Sequence, residues 1–303
     1  MTTKTLVVVC GPTGSGKTDL GVALAQQLDT VVLSADSRQL YRGMAIGTAQ
    51  PDAAQLAAVP HYMVANHEVT EHFTAGDYER EALEVLEQLF AEHDVVVAVG
   101  GSGLYIDALC HGLDALPDPD PTLRAELETK WRSGAADELL ARLQQLDPAY
   151  YAQVDRANPN RVIRALEVCL TSGVPYSTLR SGERKQRDFK VLKIGVTWPR
   201  EELYDRINCR VDLMMAAGLN AEARALYTQR NLNALQTVGY RELFEYFDGT
   251  ITLDRAVELI KQNSRRYAKR QMTWFSKDKD VLWFHPQQDI DAIRALVTEF
   301  LNK

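Results

Sequence analysis

Apolar residues in this chain fall into short unbroken runs, separated by longer stretches in which they recur at helical spacing. Residues 6–10, Leu6-Val-Val-Val-Cys10, are β-branched, lead into glycine and predict a buried strand. Leu20, Leu24 and Leu28 stand at i, i+4 and i+8, which predicts a helix over 18–28; a second short strand follows at 31–33. Leu83, Leu86 and Phe90 share one face of a helix predicted over 79–90, and residues 95–99 form a third strand that runs into Gly100-Gly101. Residues 191–196 and 281–284 add a fourth and a fifth. Strands apolar throughout, rather than alternating, are covered on both faces. Alternating with helices, they predict an α/β fold built on a mainly parallel sheet flanked by helices.

The alternation stops at Pro117-Asp-Pro-Asp-Pro121 and resumes near residue 190. Helices are predicted in between, at 122–132, 135–146 and 160–171. The expected organisation is a core of residues 1–116 and 190–303, interrupted by an all-helical insertion of 117–189, with a mostly helical part after residue 200.

Composition narrows the class. At 303 residues, 46% hydrophobic and 25% charged, the chain is an ordinary globular protein and not a disordered or collagen-like one. Its apolar runs are far too short to span a membrane. The start, Met1-Thr-Thr-Lys-Thr5, lacks the pattern of a signal peptide. Cys10, Cys110, Cys169 and Cys209 are widely spaced with no C-x-x-C, the usage of a reduced compartment. A cytoplasmic monomer without membrane contact is the expected form. The net charge of −7 is unevenly spread: residues 1–155 hold 9 Lys and Arg against 23 Asp and Glu, leaving 25 against 18 in the remainder. An acidic first half and a basic second half point to an anionic partner held by the second.

Gly11-Pro12-Thr13-Gly14-Ser15-Gly16-Lys17-Thr18 matches G-x-x-x-x-G-K-[ST] between a predicted strand and a predicted helix, the context in which that pattern binds phosphate. The glycines let backbone N–H groups turn toward an anion, and the helix start adds positive dipole. Lys17 is placed for a terminal phosphate and Thr18 for Mg²⁺. A nucleotide-hydrolysing protein of this kind also carries a metal-holding Asp at the end of another strand. Here the third strand ends in Gly100-Gly101, and Asp94 lies at its wrong end. The second strand leads to Asp36, where ligands of open α/β sheets bind. Asp36 reads as a magnesium ligand, a general base, or an Asx-turn residue.

Gly11 to Thr18, Asp36-Ser-Arg-Gln-Leu-Tyr41 and Gly100-Gly-Ser-Gly-Leu-Tyr105 together resemble the bacterial tRNA dimethylallyltransferase (isopentenyltransferase) family. Further matching blocks follow in the same order: Asn160-Arg-Val-Ile-Arg-Ala-Leu-Glu167, Arg206-Ile-Asn-Cys-Arg210, Gln236-Thr-Val-Gly-Tyr-Arg-Glu242 and Ala268-Lys-Arg-Gln-Met-Thr-Trp-Phe275. The resemblance implies a P-loop fold whose loop, residues 11–18, holds a diphosphate rather than ATP. It implies transfer of a dimethylallyl group from dimethylallyl diphosphate to N6 of the adenosine just 3′ of the tRNA anticodon, with Mg²⁺ as cofactor. By the same resemblance Asp36 is the base. Thr18 and Arg210 act at the diphosphate, Thr18 also on the metal. Asp36, Ser37, Arg38 and Gln39 lie near the target nucleotide. Ser102, Arg124, Asn160, Arg161, Val162, Ile163 and Arg164 contact the tRNA. Ser102 stands where many members carry Thr, and keeps the hydroxyl.

Residues 261–279 hold seven Lys and Arg against one acid, Asp278. Ile260, Tyr267 and Trp274 recur every seven residues, so one face can pack while Arg266 and Arg270 point outward to an RNA stem. Residues 156–190 add eight basic and three acidic residues. His67 and His72 lie five apart and do not form a metal pair. Asp77 receives no chemical role, and Trp198, Trp274 and Trp283 read as core. Two other readings keep the phosphate loop: a small-molecule P-loop kinase, which needs neither insertion nor basic tail, and an RNA-binding module without catalysis.

Overall fold

The computed structural model describes residues 3–303. It divides into two compact units, Met1–His111 with Gln186–Lys303 and Gly112–Lys185.

The larger unit is built on six strands: β1 (Thr5–Cys10), β2 (Val32–Ser34), β3 (His61–Tyr62), β4 (Val95–Gly100), β5 (Lys190–Val196) and β6 (Val281–Phe284). They form one all-parallel sheet in the order β3-β2-β4-β1-β5-β6. Its helices are α1 (Lys17–Gln27), α2 (Ala53–Ala58), α3 (Ala75–Glu92) and α4 (Gly103–His111). The smaller unit contains α5 (Pro121–Arg132), α6 (Ala136–Leu146), α7 (Pro148–Gln153), α8 (Pro159–Ser172) and α9 (Tyr176–Leu179). After β5 come α10 (Arg200–Ala216), α11 (Leu219–Leu226), α12 (Tyr240–Phe247), α13 (Leu253–Phe275) and, after β6, α14 (Ile290–Leu301).

The unbroken apolar runs have the predicted cause. Leu6, Val8 and Cys10 of β1 face a core shared with α3 and α4, while Val7 and Val9 face one shared with α1 and α14. All five side chains are fully buried, and each Leu or Val contributes about 1.5–3 kcal/mol. Lys193 is the exception on β5: buried, it donates to His111 Nε2 at 2.7 Å and to Asp278, tying the sheet to the chain just beyond α13.

Three differences from the sequence pattern have local causes. Helix α3 begins four residues before the predicted 79, because Thr74 and Asp77 form a reciprocal capping box; this is the structural role of Asp77. The two-residue β3 is too short to leave a periodic signal. Helix α4 follows a Gly-Ser-Gly stretch that reads as a loop.

The smaller unit packs Leu127, Leu139, Leu143, Tyr150, Val162, Ile163 and Leu166 into its own core. Inside it the fully buried carboxylate of Glu167 accepts from Arg124 at 2.9 Å and Arg164 at 2.7 Å, and Arg164 also donates to Pro117 O at 2.7 Å. A buried carboxylate paired with two guanidinium groups is a structural lock whose rupture leaves an uncompensated charge. Among the described residues no helix is long and apolar enough to cross a membrane.

Candidate active site

Parallel strands bring the loops that follow β1, β2, β4 and β5 to one edge of the sheet. The loop after β1 needs its glycines. Gly11 has φ +152°, and a Cβ there would stand 2.3 Å from Val196 O; Gly14 and Gly16 adopt left-handed φ of +80° and +87°. Gly16 caps α1, which begins at Lys17.

Four side chains from distant parts of the chain brace this loop. Trp198 Nε1 donates to Ser15 O at 2.9 Å, and Arg206 Nε donates to Gly14 O at 3.0 Å while its guanidinium lies over the Trp198 ring. Arg210 Nη1 donates to Thr13 Oγ1 at 3.4 Å. Gln271, buried on α13, accepts from Thr13 N at 2.8 Å and donates to Gly101 O at 2.8 Å. Within the loop the Ser15 hydroxyl is buried with no partner among the described residues, a polar atom left for water or a ligand to satisfy.

Nothing in the sequence assigns a role to Gln271, although the block around it matches the family. Gly100 and Gly101 have different neighbours. A Cβ at Gly100 would stand 2.1 Å from Ala35 O, and one at Gly101 would stand 2.4 Å from Gln271 Nε2. Where a nucleotide-hydrolysing protein keeps its metal-holding Asp, residue 100 has no room for a side chain against the Ala35 backbone, and the Gln271 amide lies against residue 101.

Asp36 follows β2 and faces this loop. Its Oδ1 accepts from Arg38 N at 2.9 Å, so the Asx-turn reading holds for one oxygen. The other oxygen accepts no hydrogen bond from a described residue. Ser37 N donates to Ser102 Oγ at 2.9 Å, which donates to Ser37 Oγ at 3.1 Å. Arg38 and Gln39 are held as walls: Arg38 donates to Asn233 O at 2.9 Å, and Gln39 Nε2 donates to Ala49 O at 2.7 Å. That last loop is itself clamped, since Glu222 accepts from Ile46 N and Gly47 N at 2.8 Å and from Tyr240 Oη at 2.6 Å.

The resulting cavity, about 360 Å³, has two characters. Thr13, Lys17, Thr18, Asp36, Arg210 and Arg270 supply charge and hydrogen bonds, and Ile207, Val211, Met214, Leu219, Val238 and Ile260 supply an apolar wall. A second, more open cavity of about 620 Å³ meets it at Lys17, Thr18 and Arg210. Burial pushes the Lys17 ammonium down to about 8, with Arg210 adding to the shift and Asp36 opposing it. Burial likewise lowers Arg210, again against the pull of Asp36, and raises Tyr267. Two cations held in a partly desolvated space, with one carboxylate beside them, form a site short of negative charge.

The donor set suits magnesium. No group of three His, Cys, Asp or Glu side chains that could hold a metal exists among the described residues. Mg²⁺ takes few protein ligands and fills its shell with phosphate oxygens and water, and the Thr18 hydroxyl at the seam of both cavities is the group that would hold it here. His67 is engaged by Glu71 at 2.6 Å and Glu81 at 3.1 Å. The cysteines are free thiols, three of them buried and Cys209 exposed.

Arg270 is both exposed on α13 and part of the cavity lining, and Arg266 is exposed one turn before it. In the smaller unit Asn160 and Arg161 are exposed at the start of α8, whereas Arg124 and Arg164 are committed to Glu167. Val162 and Ile163 require a correction: both are buried in the core of that unit, so their side chains offer no surface to an RNA. Trp274 requires another, since it is 39% exposed and not core.

A family model described as IPP transferase matches residues 39–278. The "tRNA dimethylallyltransferase 1" of Bacteroides fragilis is 50% identical over 296 residues, covering 98% of each chain. The "tRNA dimethylallyltransferase 2" of Porphyromonas gingivalis is 51% identical over 294 residues, covering 97% of this chain and 98% of the relative. The solved full-length tRNA isopentenylpyrophosphate transferase of Bacillus halodurans is similar with a TM-score of 0.73 and 37% identity, over 99% of this chain and 97% of that one. A eukaryotic dimethylallyltransferase, solved acting on tRNA, shares the fold with a TM-score of 0.82 at 24% identity, over 99% of this chain and 80% of that one. On the match of the family model and on relatives half identical over almost the whole chain, this chain belongs to the IPP transferase family, that of the tRNA dimethylallyltransferases.

Proposed function

We propose that the protein transfers a dimethylallyl group from dimethylallyl diphosphate to N6 of an adenosine in tRNA, the one 3′ of the anticodon. The observation that carries this reading is one cavity in which a carboxylate, a phosphate loop with its Lys17, the Arg210 guanidinium of α10 and an apolar wall come together. The diphosphate lies on the amides of residues 14–18 with Lys17 and Arg210 against it. The five-carbon group fits the wall of Ile207, Val211, Met214 and Leu219, which keeps water from the cation-like carbon. Mg²⁺, when bound, neutralises part of the charge on the departing diphosphate.

The chain's own residues complete the step. The adenine enters toward Asp36, whose second oxygen accepts the N6 proton. That hydrogen bond raises electron density on a poorly nucleophilic nitrogen. The N6–C1 bond forms, the C1–O bond to diphosphate breaks with its electron pair leaving on oxygen, and the proton passes to Asp36. Lys17 and Arg210 are already in place when the negative charge grows, so no reorganisation is needed at that moment. An adenine in a stacked loop must first be turned out, at a cost of a few kcal/mol.

The basic face of α13 and the exposed residues at the start of α8 are the proposed grip on the tRNA backbone. Arg266→Ala with Arg270→Ala should weaken tRNA binding and reduce the slope of log affinity against log salt by about one for each phosphate no longer neutralised. An unchanged slope in filter binding from 50 to 200 mM salt removes α13 from the RNA interface. The donor assignment is tested by calorimetry: dimethylallyl diphosphate should bind at least as tightly as ATP. Selective binding of ATP would return the kinase reading.

A further inference from the structure

Trp274 is the one aromatic of the α13 seven-residue series that the fold leaves open. Ile260 is buried and Tyr267 lines the cavity, whereas Trp274 is 39% exposed. Its ring is nonetheless fixed. Nε1 donates to Asp107 Oδ2 at 2.9 Å. A Cβ on Gly103 would stand 2.3, 2.5 and 2.6 Å from ring atoms Cδ1, Nε1 and Cγ. Three nearly equal distances to adjacent ring atoms place Gly103 over the face of the five-membered ring and not at its edge. One face of the indole therefore rests on backbone that only glycine leaves room for. The 39% exposure belongs to what remains, and among the described residues no second ring or cation covers it.

The surroundings specify the occupant. Arg266 and Arg270 precede Trp274 at intervals of four, so all three share one face of α13, with Lys269 and Lys277 near. Gly103 adjoins Ser102, whose hydroxyl bonds Ser37 beside Asp36. An immobilised, half-open indole on a cationic helix face, next to the catalytic cluster, matches how proteins hold single-stranded nucleic acid: cations on the backbone, aromatic faces under bases.

We infer that Trp274 is a stacking platform for an unpaired nucleobase of the anticodon loop, a neighbour of the adenosine delivered to Asp36. The site rests on the proposed function, but it is a separate contact. By holding the adjacent base in a stack it compensates for the stacking that the target adenosine gives up.

The test uses the whole protein with a 17-nucleotide anticodon stem-loop and a set of the same RNA, each with one loop nucleotide made abasic. Trp274→Ala should weaken stem-loop binding about ten- to a hundred-fold, leave donor affinity in place, and raise KM for RNA more than it lowers kcat. One abasic position should show the same loss with wild-type protein and no further loss with Trp274→Ala. Trp274→Phe, which keeps an aromatic face on Gly103, should recover most of the affinity and remove the largest part of the indole fluorescence quenching caused by RNA. Additive losses at every loop position, or full quenching retained in Trp274→Phe, would overturn the inference, and the fluorescence result stands even if the alanine variant folds poorly. Wild-type protein that neither binds nor modifies the stem-loop would instead sink the proposed function.

Discussion

Asp36→Asn should lower kcat by about 10²- to 10⁴-fold, the usual contribution of a positioned base, while tRNA and donor affinities stay close to wild type. The substitution is chosen from the geometry. Asparagine keeps the oxygen that accepts from Arg38 N, so the turn carrying Ser37 and Arg38 survives. What changes is the second oxygen, which has no described partner, on a residue that lines the cavity. Asp36→Ala removes the turn as well, and should add a loss of nucleotide positioning seen in KM for RNA. Single-turnover measurements with saturating donor separate the two. An unchanged rate in the asparagine variant would remove Asp36 as base.

The second large effect is at Lys17. Lys17→Ala should cost about 10²- to 10³-fold in kcat/KM, as expected for loss of one oriented charge at a leaving group, with donor binding visibly weakened. The wild-type protein should also show a pH signature. Burial holds the Lys17 ammonium at about 8. Diphosphate favours the charged lysine, so binding above that value must take up a proton. Donor affinity should therefore be level between pH 7 and 8 and fall about tenfold per unit above it. In Lys17→Ala that fall should vanish. Calorimetric affinities from pH 7 to 9.5 give both profiles. A level wild-type profile to pH 9.5 would show that Lys17 does not carry the charge that meets the donor.

Much of this is legible in the chain alone. The strands announce themselves because a parallel sheet covered on both faces demands runs of Val, Leu and Ile, which β1 and β4 have and β5 has apart from Lys193. The phosphate loop is legible because only glycine fits at residues 11, 14 and 16. The position of Asp36 follows from the same topology, just past the carboxyl end of β2. What is not legible depends on contacts between residues far apart in sequence. Gln271 lies 258 positions from Thr13, and nothing in the local pattern of α13 says that its amide braces the loop. The family resemblance implies RNA contact for Arg124 and Arg164, and both are committed to the buried Glu167. Val162 and Ile163 precede Arg164 on α8 and are buried in that unit's core, against what the motif match alone implies. Seven-residue spacing groups Trp274 with Ile260 and so reads it as core. The backbone of Gly103 beneath the ring, not a core, is what it packs against.

Gln271 also changes the meaning of the phosphate loop. With its amide against Gly101 and no room for a side chain at residue 100, the usual metal-holding carboxylate is absent for a steric reason. The fold keeps the anion cradle and replaces the nucleotide-hydrolysing half of the site with α10 and α13. Arg206, Arg210, Tyr267, Arg270 and Gln271 come from those two helices.

One incubation tests the central claim most directly. The protein is mixed with Mg²⁺, dimethylallyl diphosphate and unmodified tRNA carrying an adenosine 3′ to its anticodon, and the RNA is digested to nucleosides for mass spectrometry. The account predicts an adenosine heavier by one dimethylallyl group, appearing with wild-type protein and lost with Asp36→Asn. An unmodified digest from protein that still binds both the tRNA and the donor would contradict it.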